Sequence, residues 1–240
     1  MERTTIENII ATSLEEISLL VTEGKCRSRI IMPFYRTKAE NEDTIRYSEQ
    51  ELKQIFLNLL CNNTSFFYSV ETPSEYVYSF SNSEQPQIKK LKEEDDHYES
   101  ARFDVSLYNT ANPKDLMCHI EFKHENADEK EIGKDLLKLT NEFGNYNKNF
   151  FVHYIVRKSK QWITSTFPSV IKKYRNTLPY LEKERENFSK VWVYLMFNKK
   201  DNNPEKSILN FSLQDLSELS KEPYDEECFR WKEILQEKYL

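Results

Sequence analysis

Two segments near the middle of the chain alternate between apolar and polar residues, and a turn sequence joins them. In Arg102–Tyr108, every second residue from Phe103 to Leu107 is apolar, which is the period of a β-strand. Asn109–Pro113 has the composition of a turn, and Leu116–His124 has the pattern of a second strand. The pair predicts two neighbouring strands of one sheet, and it constrains the fold more than any other feature.

The remaining segments predict helices and further strands around this pair. Ser48 followed by Glu51 matches a capping box, and Pro168 predicts a kink or break inside a later helix. Apolar spacing predicts helices at Thr5–Glu23, Ser48–Leu60, Asp128–Phe143, Lys160–Thr177, Leu213–Leu219 and Glu226–Leu240. Short apolar runs predict strands at Arg29–Phe34, Phe66–Val70, Tyr76–Phe80, Phe150–Val156 and Val191–Phe197, and polar composition predicts loops at Arg36–Arg46 and Ser81–Ser100.

Helices that precede, separate and follow strands indicate an α/β fold, with a mixed central β-sheet flanked by helices. We expect an N-terminal helical extension over residues 1–46, a core over residues 47–200 and a C-terminal helical extension over residues 201–240. These parts are expected to form one compact domain, because 240 residues with 38% hydrophobic content can bury one sizeable core.

Composition restricts the classes of function. The net charge of −6 disfavours a protein that coats nucleic acid non-specifically, because such binding depends on clustered lysine and arginine. Only three glycines are present and no glycine-rich phosphate loop occurs. No apolar run is long enough to cross a bilayer, the first residues do not resemble a signal peptide, and the four cysteines form no CxxC pair. We expect a cytoplasmic protein with reduced thiols and no membrane partner.

Charged residues in the two central strands are the candidate chemistry. Glu121 and Lys123 lie two residues apart, so they point to one face of their strand, and Asp104 lies in the strand before. Neighbouring strands are about 4.8 Å apart, so these side chains can share a cation. Mg²⁺ prefers oxygen ligands, and Asp104, Glu121 and the backbone carbonyl of Phe122 would supply three. Lys123 would orient an attacking water or balance negative charge during phosphodiester cleavage.

The sequence Arg102-Phe-Asp-Val-Ser-Leu-Tyr108 followed by Cys118-His-Ile-Glu-Phe-Lys-His124 resembles the PD-(D/E)XK, or restriction-endonuclease-like, superfamily. Asp104 matches the isolated aspartate and Glu121-Phe122-Lys123 matches E-x-K, whereas Phe103 stands where the motif has proline. The resemblance covers about Ser48 to Val156. It implies an αβββαβ core and a nuclease that depends on Mg²⁺ or Mn²⁺, more often on DNA, in defence, restriction or repair.

The resemblance also implies a carboxylate from the first core helix, for which Glu49 and Glu51 both qualify. Glu49 is preferred, because it lies on the sheet-facing side, whereas Glu51 is placed for the local capping box. It further implies substrate contacts from the helix after the E-x-K strand, where Lys134 and Lys138 are candidates and Lys134 is preferred. An ordinary solvated helix face explains both lysines equally well.

Other interpretations of the same residues compete with the nuclease hypothesis. Cys118 and His119 point to opposite strand faces, which disfavours zinc, so His119 is expected to be a hydrogen-bonded strand residue. A catalytically inactive protein of the same fold could serve as a binding or regulatory module. An assembly subunit or homodimer could use the apolar stripes of the N-terminal helix and of Glu226–Leu240 to pack on a partner.

Overall fold

The structure of the protein is a computed structural model, which describes residues 5–24, 26–31, 34–36, 43–45, 48–81, 84–90, 101–125, 127–157, 162–199 and 208–219. Helices in these ranges are α1 (Ile6–Glu23), α2 (Glu49–Asn63), α3 (Glu129–Asn141), α4 (Trp162–Thr177) and α5 (Leu213–Leu219). A stretch of 3₁₀ turns, Leu178–Lys190, follows α4 directly. None of the helices described is both long enough and apolar enough to cross a membrane.

In the described ranges, strands form one main sheet and two separate antiparallel pairs. They are β1 (Phe34–Arg36), β2 (Asp43–Ile45), β3 (Phe67–Pro73), β4 (Tyr76–Ser81), β5 (Glu84–Lys90), β6 (Arg102–Tyr108), β7 (Leu116–His124), β8 (Asn149–Arg157), β9 (Val191–Lys199) and β10 (Ile208–Ser212). The main sheet has six strands in the order β10-β9-β8-β7-β6-β3, whereas β1-β2 and β4-β5 pair separately. The predicted α/β class with a mixed sheet flanked by helices is therefore confirmed.

Strand pairing in the sheet is antiparallel towards both edges and parallel at the centre. β3, β6 and β7 form an antiparallel series, and Val105 of β6 pairs with Ile120 of β7. β8 then runs parallel to β7, and Ile120 pairs with Phe150. β9 is parallel to β8, and β10 is antiparallel to β9. Helix α3 connects β7 to β8, as a crossover between parallel strands requires.

Each face of the sheet is covered by a hydrophobic layer. The first layer contains the apolar stripes of α1 and α2 together with Cys118, Ile120 and Phe122 of β7. The second layer contains α3, α4, the 3₁₀ turns and α5, packed on alternate residues of β8 and β9 such as Phe151 and Val193. Because the stripe of α1 is buried inside the protein's own core, α1 does not offer it to a partner.

Several local predictions differ from the structure. Residues 29–31 are not strand, and the polar segment after them contains the β1-β2 pair. Glu84–Lys90, predicted as part of a loop, is a strand paired with β4. Helix α4 runs through Pro168 without a break. Strand β10 was not predicted, and the predicted helix Glu226–Leu240 lies outside the described residues.

Candidate functional site

The backbone is irregular where β6 carries Asp104. Phe103 packs in the second layer and Val105 in the first, although simple alternation predicts that they share a face. Two features explain the departure. The Asp104 carboxylate accepts the N–H of Phe122 through Oδ2 at 2.8 Å, and Glu71, opposite Asp104 on β3, has a φ of 51° in the left-handed region. The twist at this point positions the Asp104 side chain beside β7.

The second oxygen of Asp104 contacts a lysine that sequence reasoning did not identify. Lys53 of α2 places Nζ 3.0 Å from Asp104 Oδ1 and 3.1 Å from Glu71 Oε1. Burial opposes the charge of Lys53, but Asp104 and Glu71 outweigh it and raise the lysine pKa above its usual value. Lys53 lies four residues after Glu49, and this spacing on one helix face was the available signal.

Glu121 and Lys123 belong to a chain of ion pairs that connects β7 with α3. Lys138 Nζ lies 2.5 Å from Glu121 Oε1 and 2.9 Å from Asp135 Oδ1. The other oxygen of Asp135, Oδ2, lies 2.8 Å from Lys123 Nζ. Asp135 therefore joins the two lysines, and it is the second site residue that sequence reasoning missed.

Burial makes this chain electrostatically unusual. Burial raises the pKa of Glu121 well above its ordinary value, Asp135 adds to the rise, and Lys138 opposes it. Burial acts against the charge of Lys123 and of Lys138, but Asp135, Glu121 and, for Lys123, Glu49 together outweigh it, so both lysine pKa values are raised. The lysines are held in their charged state, whereas burial disfavours the charge of Glu121.

Two buried oxygens in the chain have incomplete hydrogen bonding. Glu121 Oε1 and Asp135 Oδ2 lie within ion-pair distance of lysines, but among the described residues neither receives a hydrogen bond of ordinary angle. Buried oxygens of this kind are uncommon, because an unsatisfied acceptor loses the bonds that it would make in water. Each oxygen nevertheless faces a lysine ammonium, so another cation could bind it only where that lysine moved away.

Glu49 and Glu51 occupy different surroundings at the start of α2. Burial raises the pKa of Glu49, followed by repulsion from Asp104, whereas Lys123 and Lys53 lower it. Glu49 is thus within electrostatic range of the central cluster. The carboxylate of Glu51 instead accepts a hydrogen bond from the Ser48 hydroxyl. Glu51 is thus used locally at the helix start, but the predicted capping box is not formed, because the Ser48 side chain accepts no backbone N–H of α2.

The two candidate lysines of α3 are also separated. Lys138 is only 6% exposed and points into the ion-pair chain, where it also donates to the Arg102 carbonyl at 2.8 Å. Lys134 is exposed on the surface of α3. Because Lys134 is exposed and Lys138 is buried, Lys134 can contact an external molecule in this structure and Lys138 cannot.

His119 is a satisfied strand histidine. Its Nδ1 lies 2.7 Å from the Ser106 hydroxyl, and its ring stacks on Phe103 with 3.7 Å between the ring centroids. Burial lowers its pKa to about 3, with a contribution from Lys138, so the ring is neutral at neutral pH. Cys118 lies in the opposite layer, and the geometry that zinc would need is not formed by this pair.

The carboxylate oxygens of the site are ligands of the kind that a hard divalent cation prefers, but in this structure they do not converge on one point. Within the ranges that the structure describes, no three His, Cys, Asp or Glu side chains form a group that could hold a metal ion. The carboxylates of Asp104 and Glu121 instead face Lys53 and Lys138. Metal binding therefore requires those lysines to withdraw, after which the oxygens of Asp104, Glu121 and Glu49 would supply ligands of the kind that Mg²⁺ prefers.

Comparison with known proteins gives no match for this chain, whether with protein-family models, with curated proteins or with solved structures.

Proposed function

We propose that the protein is a divalent-metal-dependent nuclease that hydrolyses phosphodiester bonds, with DNA as the preferred substrate. The observation that carries the proposal is the clustering of Asp104, Glu121 and Lys123 with Glu49. Each of these side chains affects the ionisation of at least one of the others, although they come from α2, β6 and β7. Perturbed carboxylates and lysines gathered in this way are typical of catalytic sites, although structural ion pairs also produce them.

The order of elements supports the same proposal. From α2 onwards the main-sheet elements are α2, β3, β6, β7, α3 and β8, which follow the αβββαβ order that the sequence resemblance implies. The β4-β5 pair is then an insertion between the first two strands of the core. Asp104 lies on the second core strand, and Glu121 and Lys123 lie on the third, in agreement with the PD-(D/E)XK pattern.

In the proposed reaction, Asp104, Glu121, Glu49 and the carbonyl of Phe122 would hold Mg²⁺ or Mn²⁺. A cation bound there would neutralise charge on the scissile phosphate and lower the pKa of a water molecule. Lys123 orients the attacking water, because its ammonium is partly exposed and the contact with Asp135 fixes its position. Lys138, being buried, would hold Glu121 in place only until the metal binds and would not contact substrate, whereas Lys134 would contact the phosphate backbone from the surface of α3.

The test is an activity assay on several substrates. Purified protein, Asp104→Ala and Lys123→Ala are incubated with single- and double-stranded DNA and RNA in Mg²⁺, Mn²⁺ or EDTA. Cutting that requires metal and is lost in both variants supports the proposal and identifies the substrate class. Absence of cutting, or equal cutting by the three proteins, contradicts it.

A second candidate function is a catalytically inactive binding or regulatory module on the same fold. The observation that favours it is that Asp104, Glu121 and Asp135 each contact a lysine, so the cluster is close to neutral without a metal. In that case the ion pairs are a structural network that joins α2, β7 and α3. Metal titration separates the two functions, because a purely structural network should not bind Mn²⁺.

A further inference from the structure

An open cleft of about 360 Å³ lies at the edge of the main sheet, apart from the charged cluster. β3 is the edge strand, and its residues Phe67 and Tyr68 line the cleft together with Tyr108 of β6. The turn after β6, including Asn112, closes one side. This volume is within the range of small-molecule sites, roughly 300–1,000 Å³.

The lining favours a flat, uncharged group. Phe67 and Tyr68 leave 49% and 42% of their surface exposed, which is unusual for large aromatic residues. Of the described residues that line the cleft, none is charged, and hydroxyl or amide groups come from Ser69, Thr110 and Asn112. Aromatic faces with a few neutral polar groups are the surroundings in which nucleic-acid bases stack, whereas a phosphate group would find no counter-ion there.

The cleft and the charged cluster are on the same two strands. Phe67 pairs with Tyr108 at one end of the β3-β6 ladder, and Thr72 pairs with Phe103 near the other end, next to Asp104. Tyr108 lies four positions after Asp104, which is roughly 13 Å along a strand at about 3.3 Å per residue. A stacked single strand advances about 3.4 Å per nucleotide, so this distance spans about four nucleotides or fewer if the strand is stretched.

We propose that this cleft binds an unpaired nucleobase of the nucleic-acid strand whose backbone passes the Asp104 cluster. The identity of the ligand rests on the proposed nuclease function, because the cluster supplies the phosphate-directed chemistry that the cleft lacks. Tyr68 and Phe67 provide the stacking surface, and Asn112 provides an amide that can hydrogen-bond a base edge. The substrate would therefore be single-stranded, or opened, within a few nucleotides of the cut.

A second copy of the chain fits the same edge less well. Pairing through β3 would require a regular extended backbone that offers N–H and C=O groups in register. Glu71 interrupts that regularity with its left-handed φ of 51°, and Pro73 has no N–H to donate. The part of β3 that could pair with a strand of a second copy is therefore limited to the residues before Glu71, which include those that line the cleft.

Binding without cleavage tests the inference independently of catalysis. A fluorescein-labelled oligothymidylate is titrated in EDTA, with anisotropy as the readout, against wild type, Phe67→Ala and Tyr68→Ala. Val70→Ala is the matched control, because Val70 is 48% exposed on the same strand and does not line the cleft. We expect Phe67→Ala and Tyr68→Ala each to weaken binding about fivefold or more, and Val70→Ala to bind nearly as wild type does.

A second measurement uses wild-type protein alone, so it does not depend on the folding of any variant. One nucleotide at a time is replaced by an abasic residue, and we expect one position to weaken binding more than its neighbours. Equal binding by wild type, Phe67→Ala and Tyr68→Ala, or no binding by wild type, would overturn the inference. A concentration-dependent dimer that Val70→Ala and Tyr68→Ala both disrupt would assign the edge to a second copy and would also overturn it.

The two proposals can fail separately. If the oligonucleotide binds through the cleft but is not cut in Mg²⁺ or Mn²⁺, the nuclease function fails and the base-binding inference stands. If cutting occurs and both cleft variants bind and cut as wild type does, the nuclease function stands and the inference fails.

Discussion

Lys53 Nζ contacts Asp104 Oδ1 at 3.0 Å, while the N–H of Phe122 occupies Asp104 Oδ2 at 2.8 Å. Both oxygens of the aspartate are thus engaged within the protein. Because Lys53 also contacts Glu71, the lysine has a second carboxylate available when Asp104 binds another cation. The contact makes Lys53 a direct competitor of any metal ion at Asp104.

Replacing this competitor should tighten metal binding. We predict that Lys53→Met raises Mn²⁺ affinity about tenfold, equivalent to ~1.4 kcal/mol, because Asp104 no longer has to exchange a lysine for the ion. Calorimetric titration at low ionic strength measures the effect. Lys134→Met removes an exposed lysine from α3 and is the matched control, with no change in affinity expected. Equal affinity in wild type and Lys53→Met would show that the ion pair does not oppose metal binding.

The buried pair of Glu121 and Lys138 should be strongly coupled. Their side chains are 4% and 6% exposed, so removing Lys138 leaves Glu121 buried without its ion-pair partner, whereas Lys138 keeps Asp135 when Glu121 is removed. We predict that Lys138→Met lowers the free energy of unfolding by roughly 3–5 kcal/mol, and that the double variant with Glu121→Leu loses less than the sum of the two single changes. Urea unfolding of the four proteins gives the coupling energy.

A more exposed ion pair provides the control for this experiment. Lys148 contacts Glu7 at 3.0 Å, and their side chains are 39% and 24% exposed. We expect Lys148→Met to change the free energy of unfolding by less than about 1 kcal/mol. If Lys138→Met has as small an effect, burial does not strengthen the Glu121 pair.

His153 should make stability fall in acid. Its Nε2–H donates to the Glu125 carbonyl, and its Nδ1 accepts from the Tyr174 hydroxyl, so the folded state holds a neutral ring. Burial lowers the pKa of His153 from 6.5 to about 4. The unfolded chain therefore takes up a proton first, and the stability due to the neutral ring, fully present above pH 6.5, is lost as the pH falls towards about 4.

This linkage is measured by urea unfolding at a series of pH values. We predict that His153→Gln removes about 1.4 kcal/mol per pH unit from the slope between pH 6.5 and about 4. Tyr174→Phe should lower stability throughout but keep most of the slope, because the buried histidine remains. An unchanged slope in His153→Gln would mean that another group titrates in this range.

Glu71 allows backbone strain to be measured separately from its ion pair. The φ of 51° is unfavourable for a residue with a Cβ atom and costs glycine little. Glu71→Gly and Glu71→Ala both lose the contact with Lys53, but only alanine keeps the strain. We predict that the glycine variant is more stable than the alanine variant by about 1 kcal/mol. Equal free energies of unfolding would show that the conformation is not strained.

Periodicity in the sequence predicted the elements that build the core. Helices α1, α2 and α3 and strands β6, β7, β8 and β9 lie close to their predicted positions. In each of them, the apolar residues that repeat regularly in the sequence are the residues that face the core. Their periodicity can therefore be read from the sequence alone. Strand β5 was missed because Glu84–Lys90 is polar and contains a proline, so only its pairing with β4 makes it a strand.

The site was predicted in part. The spacing of Glu121 and Lys123 on one strand indicated their shared face, because strand periodicity is local. Lys53 and Asp135 were missed as partners, since their roles depend on contacts between α2, β6, β7 and α3 that no local pattern specifies. The departure of Phe103 from the face of Val105 was also missed, because a hydrogen bond from Phe122 to Asp104 replaces regular pairing there.

The central claim is that Asp104 supports metal-dependent cutting of a phosphodiester. The most direct measurement is the cleavage rate of wild type, Asp104→Asn and Asp115→Asn in Mg²⁺, each checked for cooperative unfolding. Asp115 lies in the turn between β6 and β7, outside the cluster, and is the matched control. We predict that Asp104→Asn lowers the rate by at least about a hundredfold and that Asp115→Asn does not. Cutting at the same rate by folded Asp104→Asn would contradict the account.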